Sequence, residues 1–387
     1  MNQFEYSTVY EALKAIPDPR AARGQRHDWG LILLLIVAAL ASGQRNGRAI
    51  GQWVSERQAE LIEKLKPQRG NLPSPSTLRR GLQRIDLVAL EQSVAALVTA
   101  PQSDVAPGLS PPPAVGKHVA LAADGKWLRG TQEQGQTQKT AALVVHTSGT
   151  VVAQRAIAPG SSEQATVAAL LAQCDLRQTV VTLDALHTTP ALAHQLVEQG
   201  ADYFMSVKRN QPTLRAAIEL LFQQPPWQAR GAAPESAQCT ATSKGHGRLE
   251  RRTVQTSSAL DDYFSWPHAR QVVCRTSRRI NLTTGEIVEE RQYAITSLAP
   301  AAASPAQLAA LWRGHWTIEN RTHYVRDVSF GEDRCRIRRG HAAHALTALR
   351  NLIIALFRHA GWRYMPDALR HFAAYPDRVL RFLGAIP

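Results

Sequence analysis

Three carboxylates in this 387-residue chain stand where chemistry could gather. Asp124 closes the run HVALAAD, Asp184 follows the run TVVTL, and Glu319 lies inside LAALWRGHWTIENRTHYVRD. Sites in α/β sheets collect at strand ends. Two acidic groups there, joined by a third from a crossing helix, can hold two hard divalent cations. Mg2+ takes oxygen ligands and keeps part of its water shell, so few protein carboxylates suffice. Two such ions roughly 3.5–4 Å apart clamp the attacking and leaving oxygens of a phosphodiester. The segment around Glu319 adds to this. Trp312, His315, Glu319 and Arg326 follow one another at helical spacing and share a face, with His323 and Asp327 close by. An aromatic, basic and acidic stripe suits a metal site that grips an anionic backbone. The same spacing also describes a surface helix with Glu319–His315 and Glu319–His323 pairs.

Basic residues flank the three carboxylates. Lys126 and Arg129 come just after Asp124, where they could grip phosphates or sit in a solvated turn. Lys208, Arg209 and Asn210, in VKRNQ, end a strand at the same sheet edge and make a DNA contact plausible. His187 follows Asp184 and could serve the site by hydrogen bonding or serve only packing. His246 and Arg248, with Arg251 and Arg252, read by themselves as a charged strand edge. Arg334, Arg336, Arg338 and Arg339 could track a backbone. Trp227, Trp266 and Trp316 could stack on an extruded base, with burial the alternative for each.

The elements that must position these groups fall into blocks. Residues 1–100 show apolar residues at helical spacing over 8–15, 30–42, 47–66, 76–84 and 86–99. Ser74-Pro75 predicts the cap of a short helix carrying Arg79, Arg80 and Arg84 along one side, the usual shape of a DNA-reading helix or simply a solvated face. Residues 101–116, rich in Pro, Gly and Ser, predict a linker. From 117 to 224, three strands give way to alternating helix and strand, which predicts an α/β fold with a mixed sheet and helices on both faces. Residues 225–303 read as a β-rich insertion, loop-like until 248 and with strands over 251–257, 269–279 and 289–298. Residues 304–387 return to helical periodicity and carry Glu319.

Composition bounds the rest. The formal net charge is +14, with 37 Arg against 8 Lys. That balance points to a polyanion, nucleic acid before a membrane surface, and guanidinium forks suit phosphate. From residue 270 to the end there are 18 Arg, no Lys and 9 acidic residues, so much of the surplus lies near Glu319. The longest apolar run, Leu31 to Ala41, is too short to span a bilayer and predicts a buried helix. It starts too late for a signal peptide. Four scattered cysteines form no C-x-x-C pair and predict a reducing, cytoplasmic setting. No Walker-type loop supports a nucleotide cofactor.

The ordered motifs AADGKWLRG, VVTLDALHTT, DYFMSVKRNQPTL, GHGRLERR and RGHWTIENRTHYVRDVSFGED resemble those of insertion-sequence DDE transposases, the H-repeat-associated family above all. The start, DPRAARGQRHDWGLILLLIVAALASG with PSPSTLRR, resembles that family's associated N-terminal domain. The resemblance runs from about residue 8 to residue 360. It implies a ribonuclease-H-like catalytic domain with Asp124, Asp184 and Glu319 as the catalytic, metal-holding triad. It also implies two Mg2+ ions, which Mn2+ can replace, and a homodimer working on two DNA ends, nucleoid-associated when bound. The expected contacts to DNA are Lys126, Arg129, Lys208, Arg209, Asn210, His246, Arg248, His315, Arg326, Arg79 and Arg80. The expected reaction is cleavage at the element's ends and attack of the freed 3′-OH on target DNA, with no covalent enzyme–DNA intermediate. The alternative is a domesticated nuclease or DNA-binding regulator. Two departures stand out. The superfamily's Tyr, Arg, Glu and Lys offsets fall on Trp312, His315, Glu319 and Arg326, and the Lys often found before S-N-E is missing from APGSSEQAT.

Overall fold

The computed structural model describes residues 7–99, 118–223, 236–245, 247–259 and 265–387. The expected linker, His246 and Trp227 lie outside the described residues. Six helices come first: α1 (Ser7–Lys14), α2 (Trp29–Ala41), α3 (Gly47–Glu56), α4 (Gln58–Leu65), α5 (Pro75–Arg84) and α6 (Leu87–Thr99). Side-chain caps fix several of their starts. Asp28 accepts from the Leu31 N–H, Asn46 from those of Arg48 and Ala49, and Ser74 from that of Thr77 ahead of Pro75. The apolar run forms α2, and every residue of that helix is buried. The expected helix over 47–66 is two helices that break at Arg57.

The sheet comes next. Its first part is β1 (Val119–Trp127), β2 (Lys139–Val145), β3 (Val151–Ile157), α7 (Glu163–Leu171), β4 (Thr179–Leu183), α8 (Pro190–Glu198), β5 (Asp202–Val207) and α9 (Pro212–Gln223). Its second part is β6 (Ser236–Gly245), β7 (Arg248–Ser257), β8 (Gln271–Asn281) and β9 (Ile287–Thr296). All nine strands make one sheet in the order β3-β2-β1-β4-β5-β9-β8-β7-β6. The pairs β1–β4 and β4–β5 are parallel; the others are antiparallel. The expected mixed sheet is therefore present, and the β-rich block extends its edge. Residues 236–245, read from sequence as loop, form an edge strand. Their run of small polar residues carries no apolar alternation, because both faces of that strand are largely exposed.

Alternation along the strands sorts the cores. Leu121, Ala123, Val181 and Leu183 face one way, against α7, α8 and α9. Ala122, Val180, Phe204 and Val273 face the other way, toward Leu308, Leu311, Trp312 and Ile318. Those last residues belong to α10 (Pro305–His315) and to the π-helical turn Ile318–His323, after which comes α11 (Tyr324–Val328). A capping box between Ser304 and Gln307, with Pro305 in the first turn, starts α10. Three helices end the chain: α12 (Ala342–His359), α13 (Met365–Ala374) and α14 (Pro376–Phe382). Their apolar residues merge with those of α1 to α6 into one core, which also packs Ala156 of β3. Residues 342–383 thus share their core with the N-terminal helices, although the sequence groups them with the sheet.

Candidate active site

Strand pairing brings the two aspartates together. The parallel register of β1 and β4 ends at Ala123 opposite Leu183, so Asp124 and Asp184 come next, side by side. Asp124 does not end its strand, contrary to the expectation from sequence. β1 continues to Trp127 and pairs with β2 up to Lys139. Asp184 opens a short 3-10 turn, Ala185–His187, and accepts the Leu186 N–H at 2.8 Å. Burial pushes the Asp124 carboxyl up to about 7, and the neighbouring Asp184 and Glu163 charges add to this. A carboxyl so placed is short of positive charge.

Glu163, the acid of the SSE in APGSSEQAT, completes this corner. It is the first residue of α7, whose N-cap Ser162 accepts the Ala165 N–H. Ligand atoms of Asp124, Glu163 and His187 all lie within 4.8 Å of one another. The His187 ring is fully buried, with Nε2 3.5 Å from Glu163. That ring holds the Glu163 carboxyl below the usual carboxylate range. Its sequence signal was the SSE standing where the related motif has S-N-E, which was read there only for its missing Lys.

Glu319 sits in the π-helical turn between α10 and α11, a departure from α-geometry frequent at functional sites. One of its oxygens lies 3.0 Å from His323 Nδ1. Burial pushes His323 down to about 4, so the neutral ring donates and Glu319 accepts. That bond holds the Glu319 carboxyl below its ordinary value. The Glu319 side chain remains half exposed.

The expected DNA contacts separate into two groups. Arg79, Arg80, Lys208, Arg209 and Arg248 are exposed, and Arg129 is 81% exposed, 3.8 Å from Asp333. Asn210 is exposed but ties its own loop to the Asp184 turn by donating to the Ala185 carbonyl at 2.6 Å. The other group faces inward. Arg326, expected on DNA, is fully buried, with Nε 3.1 Å from Glu332. The π-helical turn is the reason: its extra residue rotates the downstream helix by about 100° relative to an unbroken α-helix, carrying Arg326 off the Glu319 face. His315 bonds through Nδ1 to the Thr182 hydroxyl at 3.1 Å, and that hydroxyl also meets His146 Nε2 at 2.9 Å. Burial lowers both histidines, His146 to about 3, so both are neutral and form an internal support below Asp184. Gly314 allows this approach, since a Cβ there would lie 2.2 Å from the His146 ring. Lys126 bonds to Asp327 at 2.7 Å and joins β1 to α11. Among the tryptophans, Trp312 is core, Trp266 is partly buried and Trp316 is 57% exposed. Arg129, Arg334, Arg336 and Arg338 line one open groove with Asp333.

The strand order β3-β2-β1-β4-β5, with acids where the parallel register of β1 and β4 ends and a glutamate from a helix behind them, defines a ribonuclease-H-like transposase fold. Residues 98–356 match the model of the transposase DDE domain, residues 10–98 match its associated domain, and the chain belongs to that transposase family. It is 26% identical over 360 residues to "Putative transposase YncI" of Escherichia coli O157:H7, spanning 91% of this chain and 87% of that protein. It is 26% identical over 359 residues to "H repeat-associated putative transposase YhhI" of Escherichia coli K12, spanning 90% of each. A 27% identity over 290 residues, 73% of this chain and 92% of its match, relates it to "Uncharacterized protein in dhlA 3'region" of Xanthobacter autotrophicus. The family acts on DNA and depends on divalent metal. No helix among the described residues is long and apolar enough to cross a membrane.

Proposed function

We propose that this protein cuts DNA at the ends of an insertion sequence and joins the freed 3′-OH to target DNA, with Asp124, Asp184 and Glu319 as the residues that carry the reaction. The observation that supports this most is the pairing of Asp124 and Asp184 at the end of the parallel register, with Asp124 pushed up to about 7. Crowded carboxylates in a half-buried corner fit Mg2+ or Mn2+. Bound there, divalent ions supply charge for the scissile phosphate and an activated oxygen nucleophile. The chain's own residues set the frame. Leu186 N–H fixes the Asp184 carboxylate, and the neutral His323 fixes Glu319. The His146–Thr182–His315 network supports the strand below Asp184 without adding charge. Exposed Arg129, Lys208 and Arg209 hold the DNA backbone.

The test is cleavage of a labelled insertion-sequence end with Mg2+ or Mn2+, and then joining to a plasmid. Asp124→Ala and Asp184→Ala should each lower cleavage by at least a thousandfold. Cleavage by either variant at the parent's rate sinks the reading. Cleavage by the parent without joining makes it a nuclease.

A further inference from the structure

We propose that Glu163 and His187 join Asp124 as direct ligands of one divalent cation, of a kind that accepts nitrogen as well as oxygen. This rests on the metal-dependent reading of the same corner and adds two residues to it. Three independent observations carry it.

The first is the gathering of donor atoms. Asp124, Glu163 and His187 come from a strand, the first turn of a helix and a 3-10 turn, yet their ligand atoms lie within 4.8 Å of one another. Opposite ligands of an ion with bonds of about 2.1 Å stand about 4.2 Å apart. The donor spacing is thus close to that of a ligand set.

The second is His187 itself. Its side chain is fully buried, Nδ1 has no hydrogen-bond partner, and Nε2 meets only the Glu163 carboxylate. A buried imidazole nitrogen without a partner is costly, so its burial calls for an explanation. Its Nε2 faces Glu163 at 3.5 Å, longer than a good hydrogen bond. A cation there would be met by Nε2 and by the Glu163 carboxylate.

The third is Gly125. A Cβ built there would lie 2.2 Å from the Glu163 carboxyl carbon, so glycine lets that carboxylate lie against β1 beside Asp124, where a larger residue would push it aside. Its backbone is not in the left-handed region. The glycine is therefore explained by close approach and not by a turn, and what approaches is a carboxylate.

The donor set decides the ion. Mg2+ is hard and takes oxygens, whereas imidazole favours softer divalent ions. Two carboxylates and one imidazole therefore suit Mn2+ better than Mg2+.

The experiment is equilibrium Mn2+ binding to the full chain, monitored by the electron paramagnetic resonance of free Mn2+, with pulsed spectra of the bound ion. Expected results are 14N modulation in the parent, its loss in His187→Gln, and at least fivefold weaker Mn2+ binding in Glu163→Gln and Gly125→Ala. Absence of 14N modulation in the parent, or a smaller change in Glu163→Gln, overturns the proposal. His187 is buried and its variant could unfold, so Glu163→Gln, half-buried and isosteric, carries the test alone if needed. The DNA cleavage assay is separate: unaffected Asp124→Ala cleavage would sink the transposase reaction, while this site stands or falls on the Mn2+ data.

Discussion

Glu332 holds two guanidinium groups inside the protein. One oxygen accepts from Arg350 at 3.1 Å and from Thr347 at 2.9 Å; the other lies 3.1 Å from Arg326. Burial alone would raise this carboxyl, but the two arginines overcome it and hold it at about 2. Removing one member of such a set leaves buried charge unmet. Glu332→Ala should therefore destabilise the fold by about 3–5 kcal/mol in urea melts, and a loss below about 1 kcal/mol would contradict this account. The depressed carboxyl also sets a pH window. Its contribution is present above the ordinary 4.5 and is lost as pH falls toward about 2. Arg326 belongs to this network, so Arg326→Met should lower stability and leave the salt slope of DNA binding unchanged. A slope smaller by about one would return Arg326 to the DNA.

Elements meet along a second buried chain of polar groups. Arg326 donates to Asn351 of α12 at 3.4 Å, Asn351 donates to Gln154 of β3 at 2.6 Å, and Gln154 donates to Glu91 of α6 at 3.4 Å. The segment after Glu319 is thereby tied to the sheet edge and to the N-terminal helices. Burial pushes Glu91 up from 4.5 to about 7. A raised carboxyl favours the fold when protonated, so its contribution is full below about 4.5 and is lost as pH rises through about 7. Glu91→Gln should then melt higher than the parent at pH 8, by on the order of 1–3 kcal/mol, and the two should converge at pH 5. Equal stability at both pH values would show that Glu91 is solvated. Helix existence was legible from apolar spacing, as α2, α5 and α6 show. The π-helical turn was not, because its residues keep helical composition while the backbone adds one residue to the turn.

At the scale of the molecule, charge and core obey different boundaries. The Arg-rich last third does not face one way. Arg326 and Arg350 are buried and Arg358 donates to the Gly149 carbonyl at 2.7 Å, while Arg334 and Arg336 are exposed beside Arg129 in an open groove. Each exposed arginine that meets a phosphate adds about one to the salt slope of DNA binding. Arg334→Ala with Arg336→Ala should flatten that slope by about two in anisotropy titrations, and an unchanged slope would place the DNA elsewhere. Residues 342–383 close the core of the N-terminal helices, so truncation after residue 341 should unfold those helices as well.

What the sequence by itself determined was local and ordered. Apolar period, caps and the motif series were enough for the mixed sheet, the buried α2 and the family. What only the tertiary structure decided was which distant groups share a space. Glu163 meets Asp124 because β1 lies against the start of α7 and Gly125 leaves room. Arg326 turns inward because a π-helical turn shifts its face. His315 becomes an internal support because Thr182 of β4 and His146 after β2 bracket it. Residue spacing carries the direction of a side chain only while the backbone keeps one period, and it carries nothing about a partner supplied by another element.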